Sequence, residues 1–93
     1  MVDPEIKTKL RILFNLTNAA CKHAFAHRDK INDAVNWADL RCVEAMYCVN
    51  QHGAESYIVL VEEAAPSSKE FRQFIYNYLQ DEGIEGVEVR IEW

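Results

Sequence analysis

The feature that most constrains the fold is an amphipathic helical pattern placed between two segments that favour β-structure. Five apolar residues recur at the helical spacing i, i+3, i+4, i+7 and i+8, namely Phe71, Phe74, Ile75, Tyr78 and Leu79. Ser67, with Glu70 three residues later, has the pattern of a capping box, and Gly83 suits the position beyond a helix end. The spacing predicts a helix with Phe74 at the centre of its apolar stripe, packed on a sheet.

The segments on either side of this helix have the composition of β-strands. Residues 41–49 are rich in valine, tyrosine and cysteine, and residues 56–63 contain the run Tyr-Ile-Val-Leu-Val. The two segments enclose a polar loop with Gly53, which predicts a hairpin. Ala45 and Met46 keep a helical interpretation of the first segment open. At residues 87–93, apolar and charged residues alternate strictly, which predicts a strand with one apolar face.

A long helix is also predicted at the start of the chain. Asp3, Pro4 and Glu5 form a strong helix start, because Asp caps exposed amides, Pro suits the first position and Glu opposes the dipole. Apolar residues then continue on more than one side as far as residue 25, so contact with more than one surface is expected. A break is expected at residues 27–29, with Asp29 capping a further short turn that carries Ile31, Ala34 and Val35.

These elements predict a single α+β domain over residues 1–93 with the order α-β-β-α-β. A right-handed crossover after a hairpin favours a mixed three-stranded sheet in the order 2-1-3, packed against a long N-terminal helix and a crossover helix. The first strand is expected at the centre, because regular alternation makes it apolar on both faces. Cys42, Met46 and Cys48 share one of these faces in that prediction.

Length and composition exclude several classes of protein. The 93 residues suffice for one core without metal or disulfide support, and 49% hydrophobic with 27% charged residues is an ordinary globular balance. No apolar stretch approaches the ~20 residues of a membrane helix. The three cysteines are an odd number without a C-x-x-C pair, and the start lacks a signal-peptide pattern. We therefore expect reduced thiols, a cytoplasmic location and no membrane partner.

The distribution of charge is uneven. The net charge of −5 disfavours a main role in gripping nucleic acid. Residues 1–30 carry six basic and three acidic side chains, net +3, whereas the remainder carries four basic and twelve acidic, net −8. Attraction between the two halves of the molecule is one interpretation, and a basic helix that meets an acidic partner is the other.

Few residues in the chain are arranged for chemistry. His23 and His27 lie four apart on one helix face, a spacing that binds zinc when two further ligands are present, yet no coherent ligand set accompanies them. Cys21 lies two residues from His23, and residues at that spacing point to different helix faces, which is poor geometry for a nucleophile and its base. The sequence predicts no catalytic residue, no metal and no cofactor, and hence a protein that is not an enzyme.

The element order is shared, at the level of topology, with K-homology nucleic-acid modules and with ring-building modules of bacterial secretion systems. A nucleic-acid module would need a Gly-x-x-Gly loop beside a basic groove. Residues 83–86 have that spacing but carry Glu85 and lie beside acids, so nucleic acid is an unlikely partner. A metal- or thiol-dependent protein is a further, weaker alternative.

The remaining interpretation is a non-catalytic protein-interaction or regulatory module that acts through an apolar sheet or helix surface. Its candidate interaction residues are Cys42, Met46 and Cys48 of the first strand, together with Arg72 and Tyr76 beside the apolar stripe of the second helix. Exposed tyrosine and arginine are enriched at protein interfaces. The predicted partner is another protein or a second copy in a homodimer.

Overall fold

A computed structural model describes residues 3–93, which form two α-helices, one 3₁₀ turn and three strands. The helices are α1 (Pro4–Ala26) and α2 (Lys69–Asp81), the 3₁₀ turn is Arg28–Lys30, and the strands are β1 (Arg41–Val49), β2 (Glu55–Glu62) and β3 (Val87–Glu92). The predicted α+β class and the order α-β-β-α-β are confirmed.

The order of the strands differs from the prediction. The sheet runs β1-β2-β3, with β1 antiparallel to β2 and β3 parallel to β2, so the predicted order 2-1-3 is wrong. The central strand β2 has the uninterrupted apolar run Tyr57 to Val61, whereas β1 exposes Arg41 and Glu44. A charged residue inside β1 fits an edge position better than a central one, because a central strand is usually buried on both faces.

The first helix begins as predicted and ends directly before the predicted break. Asp3 Oδ1 accepts a hydrogen bond from the Glu5 amide at 2.8 Å, and the helix ends at Ala26 before the 3₁₀ turn. The further helical turn expected after Asp29 is absent from the described chain. Instead, Ile31 is buried and Val35 forms a β-bridge with Ala64, because this segment lies against the end of the sheet.

The second helix has the predicted stripe but a different cap. Ser68 precedes it without a side-chain cap bond, and Glu70 Oε2 accepts from the Asn32 amide, so the predicted capping box with Ser67 is wrong. Asp33 Oδ2 accepts from the Phe71 amide at 2.7 Å and satisfies that helix donor from a distant segment. At the other end of the helix, Gly83 has the predicted positive φ, 85°.

The core lies between the sheet and the two helices. Leu13, Val59, Phe71 and Ile75 are fully buried there. Phe74 is half-buried and turns towards α1, so its predicted place at the centre of the stripe is wrong. Phe71 and Ile75 occupy the side of α2 that meets the sheet.

Both helices pack on the same face of the sheet. Helix α1 contacts β1 and β2, α2 contacts β3, and the two helices contact each other. The face under the helices is called the covered face, and the opposite one, which no helix of residues 3–93 covers, is called the open face. Neither helix combines the length and the hydrophobicity needed to cross a membrane, within the described residues.

Candidate interaction surfaces

The open face follows from the pairing of the strands. The alternating residues of β3 are buried at Val87, Val89 and Ile91 and exposed between them, which assigns each side chain to a face. The register carries this assignment across the sheet, and the open face consists of Arg41, Glu44, Met46, Cys48, Ser56, Ile58, Leu60, Glu62, Glu88, Arg90 and Glu92.

The open face has an apolar centre and a charged border. Ile58 is buried by its neighbours, Met46 and Leu60 are half-buried, and Cys48 is exposed. Two ion pairs lie at the border, Arg41 with Glu62 at 3.3 Å and Arg90 with Glu88 at 2.8 Å. An apolar centre inside a polar rim is the usual arrangement of a protein interface.

Cys42 does not share this face with Met46 and Cys48. The register shifts between Cys42, which pairs with Val61, and Glu44, which pairs with Leu60, so Val43 is the extra residue of a β-bulge. A bulge moves the preceding residue to the other face. The bulge buries Cys42 on the covered face and leaves Glu44 in solvent, which regular alternation would not permit.

The three thiols occupy contrasting environments. Burial raises the pKa of Cys21 to about 12, and the nearby Cys42 adds to the shift. Burial also raises the pKa of Cys42, to about 11, although hydrogen bonding with the Glu44 backbone and the Thr17 side chain works in the opposite direction. Both thiols are therefore neutral at physiological pH, which makes them poor nucleophiles, whereas Cys48 is exposed.

His23 and His27 join the two helices. Their rings lie 4.4 Å apart, and the His23 ring lies 5.4 Å from each of Phe74 and Tyr78 on α2. A ring nitrogen of His27, Nδ1, lies 2.9 Å from the His23 carbonyl. Among residues 3–93, no three His, Cys, Asp or Glu side chains are grouped closely enough to hold a metal ion. These contacts give the histidine pair a packing role.

Arg72 and Tyr76 lie on a second surface, which adjoins the open face along the outer edge of β3. With Lys69 and Gln73 they form one wall of a groove. The outer edge of β3 forms the other wall, with Val89, Ile91 and the charged side chains Glu88, Arg90 and Glu92. We call this the edge groove. Two adjoining clefts of about 420 and 460 Å³ compose it, and Arg72 and Val89 line both. The structure therefore separates the predicted interaction residues into two places.

Sequence reasoning missed a third surface, a cleft of about 340 Å³ between α1 and the connector before β1. Its walls are mainly apolar, with Phe25, Trp37 and Leu40, and Lys22 lies at its rim. Phe25 is 45% exposed and contacts Trp37 at a centroid distance of 6.3 Å. The sequence signal that could have indicated this cleft is Phe25, a large apolar residue that lies beside the buried stripe of α1 and not within it.

The glycine loop at residues 83–86 lies among acidic side chains. Gly83 and Gly86 both have positive φ, and the exposed Asp81, Glu82 and Glu85 around them would repel phosphate. No ion pair within residues 3–93 joins the first 30 residues to the rest, so direct pairing does not explain the charge asymmetry. Lys9 lies over the Tyr57 ring at 4.2 Å instead.

No family model, no curated protein and no solved structure matches this chain.

Proposed function

We propose that the chain is a non-catalytic protein-interaction module whose main binding surface is the open face, and that this face binds a second copy. The observation that carries the proposal is the packing of both helices on the opposite face, which leaves Met46, Leu60 and Cys48 uncovered. A helix-free sheet face with an apolar centre is typically covered in an assembly.

The charges around the centre support a twofold contact. Arg41 and Arg90 supply positive charge, and Glu44, Glu88 and Glu92 supply negative charge, on the same face. A twofold interface must be self-complementary, because each patch meets its own copy. A face that carries both signs around an apolar centre satisfies this condition.

The state of the candidate catalytic groups supports a non-catalytic role. Cys21 and Cys42 are buried with raised pKa values, and His23 and His27 face aromatic rings of α2. A nucleophile needs an activated thiol and a base within reach. The two thiols instead have the burial of structural residues, and the two histidines have packing contacts with Phe74.

A dilution series of wild type and Met46→Glu, followed by sedimentation velocity, tests the proposal. We expect a concentration-dependent dimer for wild type and at least about tenfold weaker association for Met46→Glu, because an unpaired charge is costly in a dry interface. Circular dichroism of the variant should stay near that of wild type.

Val49→Glu is the matched control. Val49 is 54% exposed at the end of β1, on the opposite side of the strand from Met46, so the same charge there should leave association unchanged. A wild type that stays monomeric up to millimolar concentration contradicts the proposal. Unfolding of Met46→Glu at every concentration also contradicts it, because the open face would then be part of the monomer core.

A further inference from the structure

The two edges of the sheet differ in whether their backbone is accessible. At the β1 edge, the Cys42 amide donates to Asn18 Oδ1 at 3.0 Å, and the bulge at Val43 interrupts regular pairing. Side-chain bonds and bulges of this kind block the addition of a further strand. Strand β3 has no bulge, and its register with β2 is regular over six residue pairs.

The outer side of β3 presents unpaired backbone groups. The Glu92 carbonyl accepts from the amides of Glu63 and Ala64 at 2.9 and 3.3 Å, so the backbone of Glu92 points towards the inner side of the sheet. Backbone groups alternate along a strand, and those of Val87, Val89 and Ile91 therefore point outwards. No other segment of residues 3–93 pairs with this edge.

The wall of the edge groove supplies a positively charged site above these groups. Arg72 Nη2 donates to the Pro66 carbonyl at 2.9 Å, which fixes the guanidinium in place. Arg72 Nε is buried and has no hydrogen-bond partner within the described residues. Neither Arg72 nor Lys69 forms an ion pair in this part of the chain. A buried donor without an acceptor is costly, and because the Arg72 side chain lines both clefts, a carboxylate in the groove would stabilise its guanidinium charge.

We propose that the edge groove binds an extended acidic segment of another protein, which adds as a fourth strand beside β3 and places a carboxylate against Arg72. Main-chain bonds to Val89 and Ile91 would provide affinity, and Arg72 and Lys69 would select an acidic side chain on the helix side. Charge-assisted bonds from arginine to a carboxylate are stronger and more directional than neutral ones.

The charges of the groove favour such a segment over a second copy. A twofold pairing of β3 with its own copy would place α2 of both molecules side by side and bring two further cations, Lys69 and Arg72, into the groove. Like charges at close range disfavour that contact. Glu88 and Glu92 line the cleft next to the open face, where Glu88 pairs with Arg90, whereas no acidic side chain of residues 3–93 lines the cleft beside Lys69, Arg72 and Tyr76. The proposal thus concerns a different surface and a different partner from the dimer above.

The test uses two capped nonapeptides of alternating valine and threonine in which the central valine is replaced by glutamate or by glutamine. We expect the glutamate peptide to bind the full chain about tenfold more tightly than the glutamine peptide. In nitrogen-15 amide spectra, the shifts on binding should concentrate at Val87, Val89 and Ile91, with β1 amides unaffected.

Arg72→Gln should reduce the affinity for the glutamate peptide to that for the glutamine peptide. The matched control is Arg41→Gln, a cation on β1 at the opposite edge of the sheet, which should keep the discrimination between peptides. Val89→Pro removes one outward-pointing amide, which an edge strand tolerates. This variant should bind both peptides more weakly, and by the same factor.

Four results would overturn the proposal. The first is discrimination between the peptides that persists in Arg72→Gln. The second is a set of shifts centred on β1 or on the open face, and the third is absence of binding at millimolar peptide. A dimer of the protein that Val89→Pro abolishes would assign the edge to a second copy and would also overturn it.

Discussion

The two faces of one sheet have opposite environments although the same three strands form them. On the covered face, Val59 and Val61 are fully buried beneath Leu13 and Phe71. On the open face, Ile58 is buried only by neighbouring side chains, and Met46 and Leu60 stay half-exposed. The difference shows that burial in this chain depends on the helices, because alternation in a strand provides an apolar face but not its cover.

The largest expected difference between the faces is in stability. Phe71 is fully buried between α2 and the sheet, next to Trp37 at a centroid distance of 6.1 Å. Phe71→Ala should lower the free energy of unfolding by ~3–5 kcal/mol, enough to unfold a marginal domain. Urea melts followed by circular dichroism measure the effect.

Phe74→Ala is the control for this prediction, because the same deletion is made on the same helix. Phe74 is half-buried at the contact with α1, so its removal leaves a smaller cavity and should cost clearly less. Equal losses for the two variants would mean that the side of α2 that faces the sheet has been misassigned.

Much of the fold could be predicted because its signals are local. The Asp3 cap, the helical stripe of α2, the Gly53 hairpin and the alternation of β3 are each encoded within a few residues. The strand order and the α2 cap depend on distant contacts instead. Asp33 reaches the Phe71 amide across 38 positions, and no sequence window contains both the donor and the acceptor.

The candidate surfaces were predicted only in part for a similar reason. Arg72 and Tyr76 lie together because they are four positions apart on one helix, but the edge of β3 beneath them depends on the strand order. Cys42 was assigned to the wrong face because a single inserted residue, Val43, reverses the alternation. Composition alone does not reveal where a bulge lies.

The thiols provide a second, smaller contrast between the faces, which appears at alkaline pH. An unfolded thiol ionises near pH ~8.5, whereas burial raises the folded pKa of Cys42 to about 11 and that of Cys21 to about 12. Above pH ~8.5 the unfolded state thus binds fewer protons than the folded state. The contribution of the buried thiols to the free energy of unfolding is therefore fully present below pH ~8.5. The free energy of unfolding should fall as the pH rises towards 11, by at most about 1.4 kcal/mol per pH unit for each buried thiol.

Urea melts from pH 8 to 11 on single variants isolate this contribution from that of other groups. Cys42→Ala should make the free energy of unfolding fall less steeply with pH, because the variant lacks one of the two thiols whose pKa is raised. Cys48→Ala, a change to an exposed cysteine on the open face, should leave the slope unchanged. An identical slope for wild type and Cys42→Ala would contradict the assignment of Cys42 to the covered face.

The smallest expected effect concerns the rim of the open face. Arg41 and Glu62 pair at 3.3 Å, and the Arg41 side chain is 57% exposed. Solvent screens an ion pair of this kind, so Arg41→Gln should change the free energy of unfolding by less than ~1 kcal/mol and by still less in 1 M salt.

The same substitution should weaken the dimer more than it destabilises the monomer, because the twofold contact proposed above uses both signs of charge. Parallel urea melts and sedimentation at low and high salt would measure the two effects separately. A loss of monomer stability comparable to that of Phe71→Ala would show that the open face is as important to the core as the covered face, and the contrast between the two faces would not hold.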